Sequence, residues 1–175
     1  MVNNMDNLNP FNVRFFSKLG QRGSFGMIMG EIAAQDEELV IMTADLATLT
    51  GLTRFKEKYP EQFINAGIAE QNMVGVAAGM AKEGKNVFVT THANFLAMRS
   101  YEQIRIQLGY MKSNVKVVGT GSGLAMGMFG NTHYGIEDLT LMRAIPNLMV
   151  VSPADGLETV KVIKEAANYQ GPMYI

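Results

Sequence analysis

One carboxylate, Glu70, stands near the start of an otherwise apolar, small-residue helix in the stretch FINAGIAEQNMVGVAAGMAKEGK, residues 63–85. Around it run Ala69, Met73, Val74, Val76, Ala77, Ala78, Met80 and Ala81, a composition that packs on most faces of a helix. A carboxylate in that position either caps the first turn, where the helix dipole favours negative charge, or is a working group that holds a proton. Other groups able to do chemistry follow apolar runs. Asp45 ends VIMTAD, His92 and Phe95 follow NVFVTT, and a Gly- and Met-rich loop from Gly121 to His133 follows VKVVGT. That loop could cradle a phosphate. It carries no GxGxxG or GxxxxGK[ST] pattern in the right place, and its glycines equally suit close approach between elements.

The elements that must position these groups alternate. Strands are expected at 40–45, 63–65, 86–91, 115–120 and 148–152, with a last one beginning in PMYI. Helices are expected at 53–60, 69–83, 95–110, 136–145 and 154–170. Tyr101, Ile104, Ile106 and Leu108 are among the buried candidates of the helix over 95–110. Residues 1–35 read as an N-terminal arm and one helix broken around Gly20 and Gly23. Strands alternating with helices imply an α/β fold with a mostly parallel central sheet, right-handed crossovers and helices on both faces. In such sheets ligands sit beyond the carboxyl ends of the strands. Four loops therefore deliver Asp45, Glu70, His92 with Phe95, and the loop ending at His133 to one edge.

Composition narrows the classes. The 175 residues suffice for one domain with a substantial core. A net charge of −1 offers no basic footprint for nucleic acid. With no cysteine and only His92 and His133, neither a disulfide framework, a thiolate site nor a multi-histidine metal site is expected. No apolar run reaches the roughly 18 residues that span a bilayer, and the N-terminus lacks a signal-peptide layout, so a cytoplasmic protein is expected. Fourteen methionines and 18 glycines suggest tightly packed helices and surfaces covered by partners.

The stretches FINAGIAEQNMVGVAAGMAKEGKNVFVTT, FLAMRSYEQIR, NTHYGIEDLTLMRAIPNLMVVSPAD and GPMYI, taken together and in order, resemble the pyrimidine-binding domain of the transketolase family. The similarity is greatest to the C-terminal subunits of split transketolases and extends to deoxyxylulose-phosphate synthases. It runs from about residue 16 to the end, which leaves 1–15 as the arm and 16–175 as the domain. It implies a thiamine-diphosphate-binding fold, with the cofactor held between this domain and a diphosphate-binding one. By the resemblance, Glu70 reaches the ring nitrogen of the cofactor's aminopyrimidine. A carboxyl group in an apolar, partner-covered place would share a proton with that nitrogen, so that the exocyclic nitrogen can deprotonate the thiazolium carbon. Phe95 lies where the family sets an aromatic ring against the pyrimidine; on its own it reads equally as a core residue. Arg99 matches an arginine near the cofactor, or is a solvated charge or ion-pair partner. Asp45 matches an aspartate near the cofactor's centre, or caps the next segment. His133 matches a substrate-facing histidine able to move protons on a hydroxyl. His92 stands on the substrate side where many members carry an aromatic residue.

The departures from the family pattern shape the functional expectation. Ordinary transketolases carry a histidine and then an aspartate in the loop before the NTH-like motif. Here Gly121 and Phe129 take those places, which points to an acceptor less polar than a pentose phosphate, or to an unusual sugar. No GDG…N diphosphate–metal motif occurs, so Mg2+ or Ca2+ would be held by a separate diphosphate-binding subunit, and the chain reads as a fragment or a subunit cut to one domain. The resemblance implies a transketolase-like transferase of a two-carbon ketol unit, inactive alone, working as a homodimer or heterotetramer on a small sugar-like molecule, without nucleic acid or membrane. A non-catalytic pairing module of the same fold, and a 2-oxoacid dehydrogenase β-type subunit, are the alternatives.

Overall fold

A computed structural model describes residues 9–175 of the chain. The first eight residues of the expected arm lie outside the described residues. The chain enters at once into α1 (Pro10–Ala33), capped by the Asn9 side chain, which accepts from Asn12 N at 2.8 Å, with proline at the first helical position. Residues 10–15 are thus helical. The break expected around Gly20 and Gly23 falls at Gly20, where φ is 71° and the helix axis is interrupted, while Gly23 continues the second half.

Six strands follow: β1 (Leu39–Thr43), β2 (Phe63–Asn65), β3 (Asn86–His92), β4 (Val115–Thr120), β5 (Met149–Val150) and β6 (Met173–Tyr174). They form one sheet in the order β2-β1-β3-β4-β6-β5, every pair parallel. The helices between them are α2 (Thr53–Lys58), α3 (Glu70–Lys82), α4 (Tyr101–Gln103), α5 (Asp138–Arg143) and α6 (Gly156–Asn168). α4 lies inside a longer helical run over 95–110, in which Phe95–Arg99 and Ile104–Tyr110 are wound with the wider i→i+5 spacing of a π-helix.

The period-2 geometry of the strands divides the core into two layers. Val40, Met42, Val87, Val89, Val115 and Val117 face α3, the 95–110 run and α5. Leu39, Ile41, Phe88 and Val118 face α1, α2 and α6. Burial on both faces is the reason these strands read as continuous apolar runs. α3 departs from the sequence reading in one respect. It buries Glu70, Met73, Val74, Ala77 and Ala78, but Gln71, Asn72, Gly75, Val76 and Gly79 are exposed. The helix has two faces, and small residues disguise the boundary between them.

Candidate active site

Because every strand pair is parallel, all carboxyl ends lie along one edge of the sheet. β3 ends there at His92, which stands in register with Thr120 at the end of β4. Beyond His92 the chain turns within two residues into the π-wound segment Phe95–Arg99. The wide turn sets Arg99 against Phe95, with the guanidinium carbon 3.6 Å from the ring centroid. The same guanidinium donates from Nη1 to Glu70 Oε1 at 2.9 Å.

Glu70 opens α3 just beyond the short strand β2 and is 5 % exposed. The residue at the cap position is Ala69, and no side chain caps this helix. The Glu70 carboxylate therefore reaches Arg99 across the fold, and of the two roles open to it in the sequence the capping one is not what its contact shows. Nor are its surroundings wholly apolar, since a cation lies against it.

His133 follows the 3₁₀ segment Gly127–Thr132 and is placed from two sides. Thr132 Oγ1 lies 2.8 Å from its Nδ1. Asn94 Nδ2 donates to Thr132 O at 2.9 Å, fastening the Gly-rich loop to the end of β3. Gly123 and Gly135 close the base of that loop through a pair of backbone hydrogen bonds. The result is a cluster of four rings. His133 lies 5.8 Å from His92, 5.3 Å from Phe95 and 5.0 Å from Phe129, and His92 lies 5.4 Å from Phe95. His92 is buried, and its Nδ1 has no hydrogen-bond partner among the described residues. Burial, and then the neighbouring His133, push its pKa down; a hydrogen bond to the Thr120 backbone and the Glu70 charge pull the other way without reversing the direction.

Asp45 lies at the end of β1 with φ of 58°. Its backbone N–H donates to Asn65 Oδ1 at 2.9 Å, and its Oδ1 accepts from Asn65 Nδ2 at 3.0 Å. The next helix, α2, begins only at Thr53, so Asp45 is not its cap. Five of the six residues singled out in the sequence, Glu70, His92, Phe95, Arg99 and His133, form one continuous contact chain, and Asp45 stands at a neighbouring strand end. Two placing residues escaped the sequence reading. Asn65, which also accepts from Gly67 N at 3.0 Å, shows only as the polar last residue of a three-residue strand, two positions before a glycine. Asn94 shows only as a polar residue inside an apolar run.

A buried carboxylate, an aromatic face and two imidazoles at one edge can hold a proton, stack a flat ring and exchange hydrogen bonds with a hydroxyl. Among the described residues no three His, Asp or Glu side chains converge so as to hold a metal ion.

Comparison with known proteins gives the same frame. Residues 17–175 match the family described as transketolase, pyrimidine binding domain. The chain is similar to a putative transketolase C-terminal section of Methanocaldococcus jannaschii, 43 % identical over 89 % of this chain and 49 % of that protein. It is 39 % identical to an apulose-4-phosphate transketolase subunit of Phocaeicola vulgatus, over 88 % of this chain and 49 % of that one. Among solved structures it resembles a split-gene transketolase described as an inactive beta4 tetramer, with TM-score 0.79 and 42 % identity over 89 % of this chain and 50 % of that one. The chain spans about half the length of these relatives.

Proposed function

The chain belongs to the transketolase family as its pyrimidine-binding domain, and from that premise we propose that it is the pyrimidine-binding half of a thiamine-diphosphate-dependent transferase that moves a two-carbon ketol unit between sugar-like molecules. The observation that carries the proposal is Glu70: a carboxylate 5 % exposed, at the strand-end edge, in contact through Arg99 with Phe95 and through it with two imidazoles.

The residues fit the cofactor's aminopyrimidine. Glu70 offers a buried carboxyl oxygen to a ring nitrogen, Phe95 offers a face for a flat ring, and the buried, unpartnered Nδ1 of His92 offers a further polar atom nearby. When bound, thiamine diphosphate supplies the carbon nucleophile of the transfer. Glu70 would hold the proton shared with the ring nitrogen. His133, set by Thr132 and Asn94, moves protons on the substrate hydroxyl, and His92, kept neutral by burial, lines the substrate side. Asp45, held by Asn65, would stand toward the centre of the bound cofactor.

The rest of the assembly follows from the same reading. The domain covers 16–175 after an arm of 1–15. A separate diphosphate-binding subunit holds the diphosphate and its Mg2+ or Ca2+, and the chain is inactive without it, as the solved relative described as an inactive beta4 tetramer supports. The Phocaeicola vulgatus relative, named as one subunit of a transketolase, supports a two-chain enzyme; we place that enzyme in the cytoplasm, as a homodimer or heterotetramer. Among the described residues no helix is long and apolar enough to cross a membrane.

The test is the exchange of the cofactor's thiazolium proton in the reconstituted complex. Glu70→Gln keeps the shape and removes the proton-sharing group, so exchange is expected to slow by about two to four orders of magnitude. His133→Ala is expected to leave that exchange intact and to impair transfer to the acceptor. Exchange in Glu70→Gln as fast as in the parent would remove Glu70 from the chemistry.

A further inference from the structure

Arg99 holds both groups that the proposed function assigns to the pyrimidine. Its guanidinium carbon lies 3.6 Å from the Phe95 centroid, the separation of stacked planar groups, and its Nη1 bonds Glu70 Oε1 at 2.9 Å. A flat heterocycle lying on that face of Phe95 and bonded to that oxygen would need the same space and the same acceptor. His92 and His133 approach Phe95 at 5.4 and 5.3 Å with their ring planes steeply inclined to it, at 69° and 62°, whereas the Arg99 guanidinium carbon lies over the ring at 3.6 Å.

We propose that Arg99 is a latch on the pyrimidine site, closed when its guanidinium covers Phe95 and bonds Glu70, and open when it swings to solvent and surrenders both to the cofactor's ring. The inference rests on the reading above and changes what Arg99 does within it: the side chain competes with the cofactor rather than helping to bind it. Three features suit a latch. The Arg99 side chain is 48 % exposed, so its open position is solvated, whereas Glu70 at 5 % cannot follow it. The exchange restores bonding at the carboxylate once one proton is taken up from solvent: Glu70 accepts an N–H from the guanidinium in one arrangement and would share that proton with the ring nitrogen in the other. The open form without cofactor, which leaves Glu70 buried with no donor, is the less populated one. The latch also sits at the end of a π-wound segment, a winding that recurs at functional sites.

A closed latch weakens apparent affinity by the fraction of molecules that are open. With one charge-assisted hydrogen bond and one cation–π contact, discounted for a side chain that is half exposed, the closed form is expected in excess by about tenfold. The experiment titrates thiamine diphosphate, with Mg2+, into the complex of the full chain and its diphosphate-binding subunit, by calorimetry, with circular dichroism to verify folding. Arg99→Ala is expected to tighten binding by about tenfold. Arg99→Lys keeps the charge but loses the planar fork, and is expected to tighten it by less. Unchanged or weaker binding in Arg99→Ala would overturn the latch and make Arg99 a direct ligand or a bystander, with the proposed function intact. If Arg99→Ala does not fold, Arg99→Lys decides alone, and unchanged or weaker binding there overturns the latch. If the parent complex takes up no thiamine diphosphate, the latch falls together with the function on which it rests.

Discussion

A histidine buried beside a second histidine is costly to protonate, and His92 shows the consequence. Its folded pKa lies below 6.5, chiefly through burial and next through His133. As pH falls through 6.5 the unfolded chain takes up a proton before the folded one does, so stability is lost on acidification and is insensitive to this group above that pH. Replacing His92 by Phe removes the titration. Between pH 6.5 and 5 the parent is expected to lose stability relative to His92→Phe, at no more than about 1.4 kcal/mol per pH unit, read from urea midpoints at each pH. Equal slopes in the two proteins would mean that His92 titrates normally. At this scale the sequence supplied the participants but not their partners. Glu70 and Arg99 are 29 positions apart, and nothing in their local spacing says that one reaches the other. The family motif pointed to both, and only the turn of the chain after β3 made them a pair.

At the scale of elements, α1 and the segment after β1 approach each other at two glycines. A Cβ built at Gly26 would lie 2.0 Å from Gly51 O, a backbone atom that cannot move aside cheaply, whereas one built at Gly30 meets nothing within 4 Å. Gly26→Ala is therefore expected to destabilise the chain by about 1–3 kcal/mol or more. Gly30→Ala, in the same helix, is expected to stabilise it by about 0.5–1 kcal/mol through lower unfolded-state freedom. Chemical denaturation of the two variants side by side checks both signs, and a neutral Gly26→Ala would show that the contact with Gly51 is loose. The helix ends illustrate what is legible locally. The SPAD stretch marks the start of α6, and Asp155 caps it by accepting from Glu158 N at 2.8 Å. The winding of 95–110 was not legible. An expected single helix is three pieces, two of them π, and a run of 16 residues with apolar positions at 96, 97, 104 and 108 suits either periodicity.

The whole molecule is joined at its other edge by Lys116. This side chain is fully buried in β4, and its Nζ donates to Tyr169 O at 2.7 Å and Gly171 O at 3.0 Å, and also to Asn114 Oδ1, so the end of α6, the approach to β6 and the start of β4 meet on one ammonium. Burial lowers its pKa from 10.5 to about 8. Between those values the unfolded chain binds a proton that the folded chain does not, so raising the pH through that window relieves a penalty and stability rises. Relative to Lys116→Met, the parent is expected to gain stability from pH 8 to 10.5 by up to about 1.4 kcal/mol per pH unit, and parallel pH profiles would place the ammonium in water.

Strand positions, the α/β class, the parallel sheet and the edge at which Asp45, Glu70, His92, Phe95 and His133 gather were determined by the amino-acid sequence alone, because continuous apolar runs and the strand–helix alternation are local properties that topology rules extend to the whole fold. The order β2-β1-β3-β4-β6-β5, the exposed face of α3, the π winding, the ring cluster and the contact of Arg99 with both Glu70 and Phe95 were decided only in the tertiary structure. Each depends on which distant residues share a space, and a side chain's partner is set by packing across the sheet edge rather than by its neighbours along the chain.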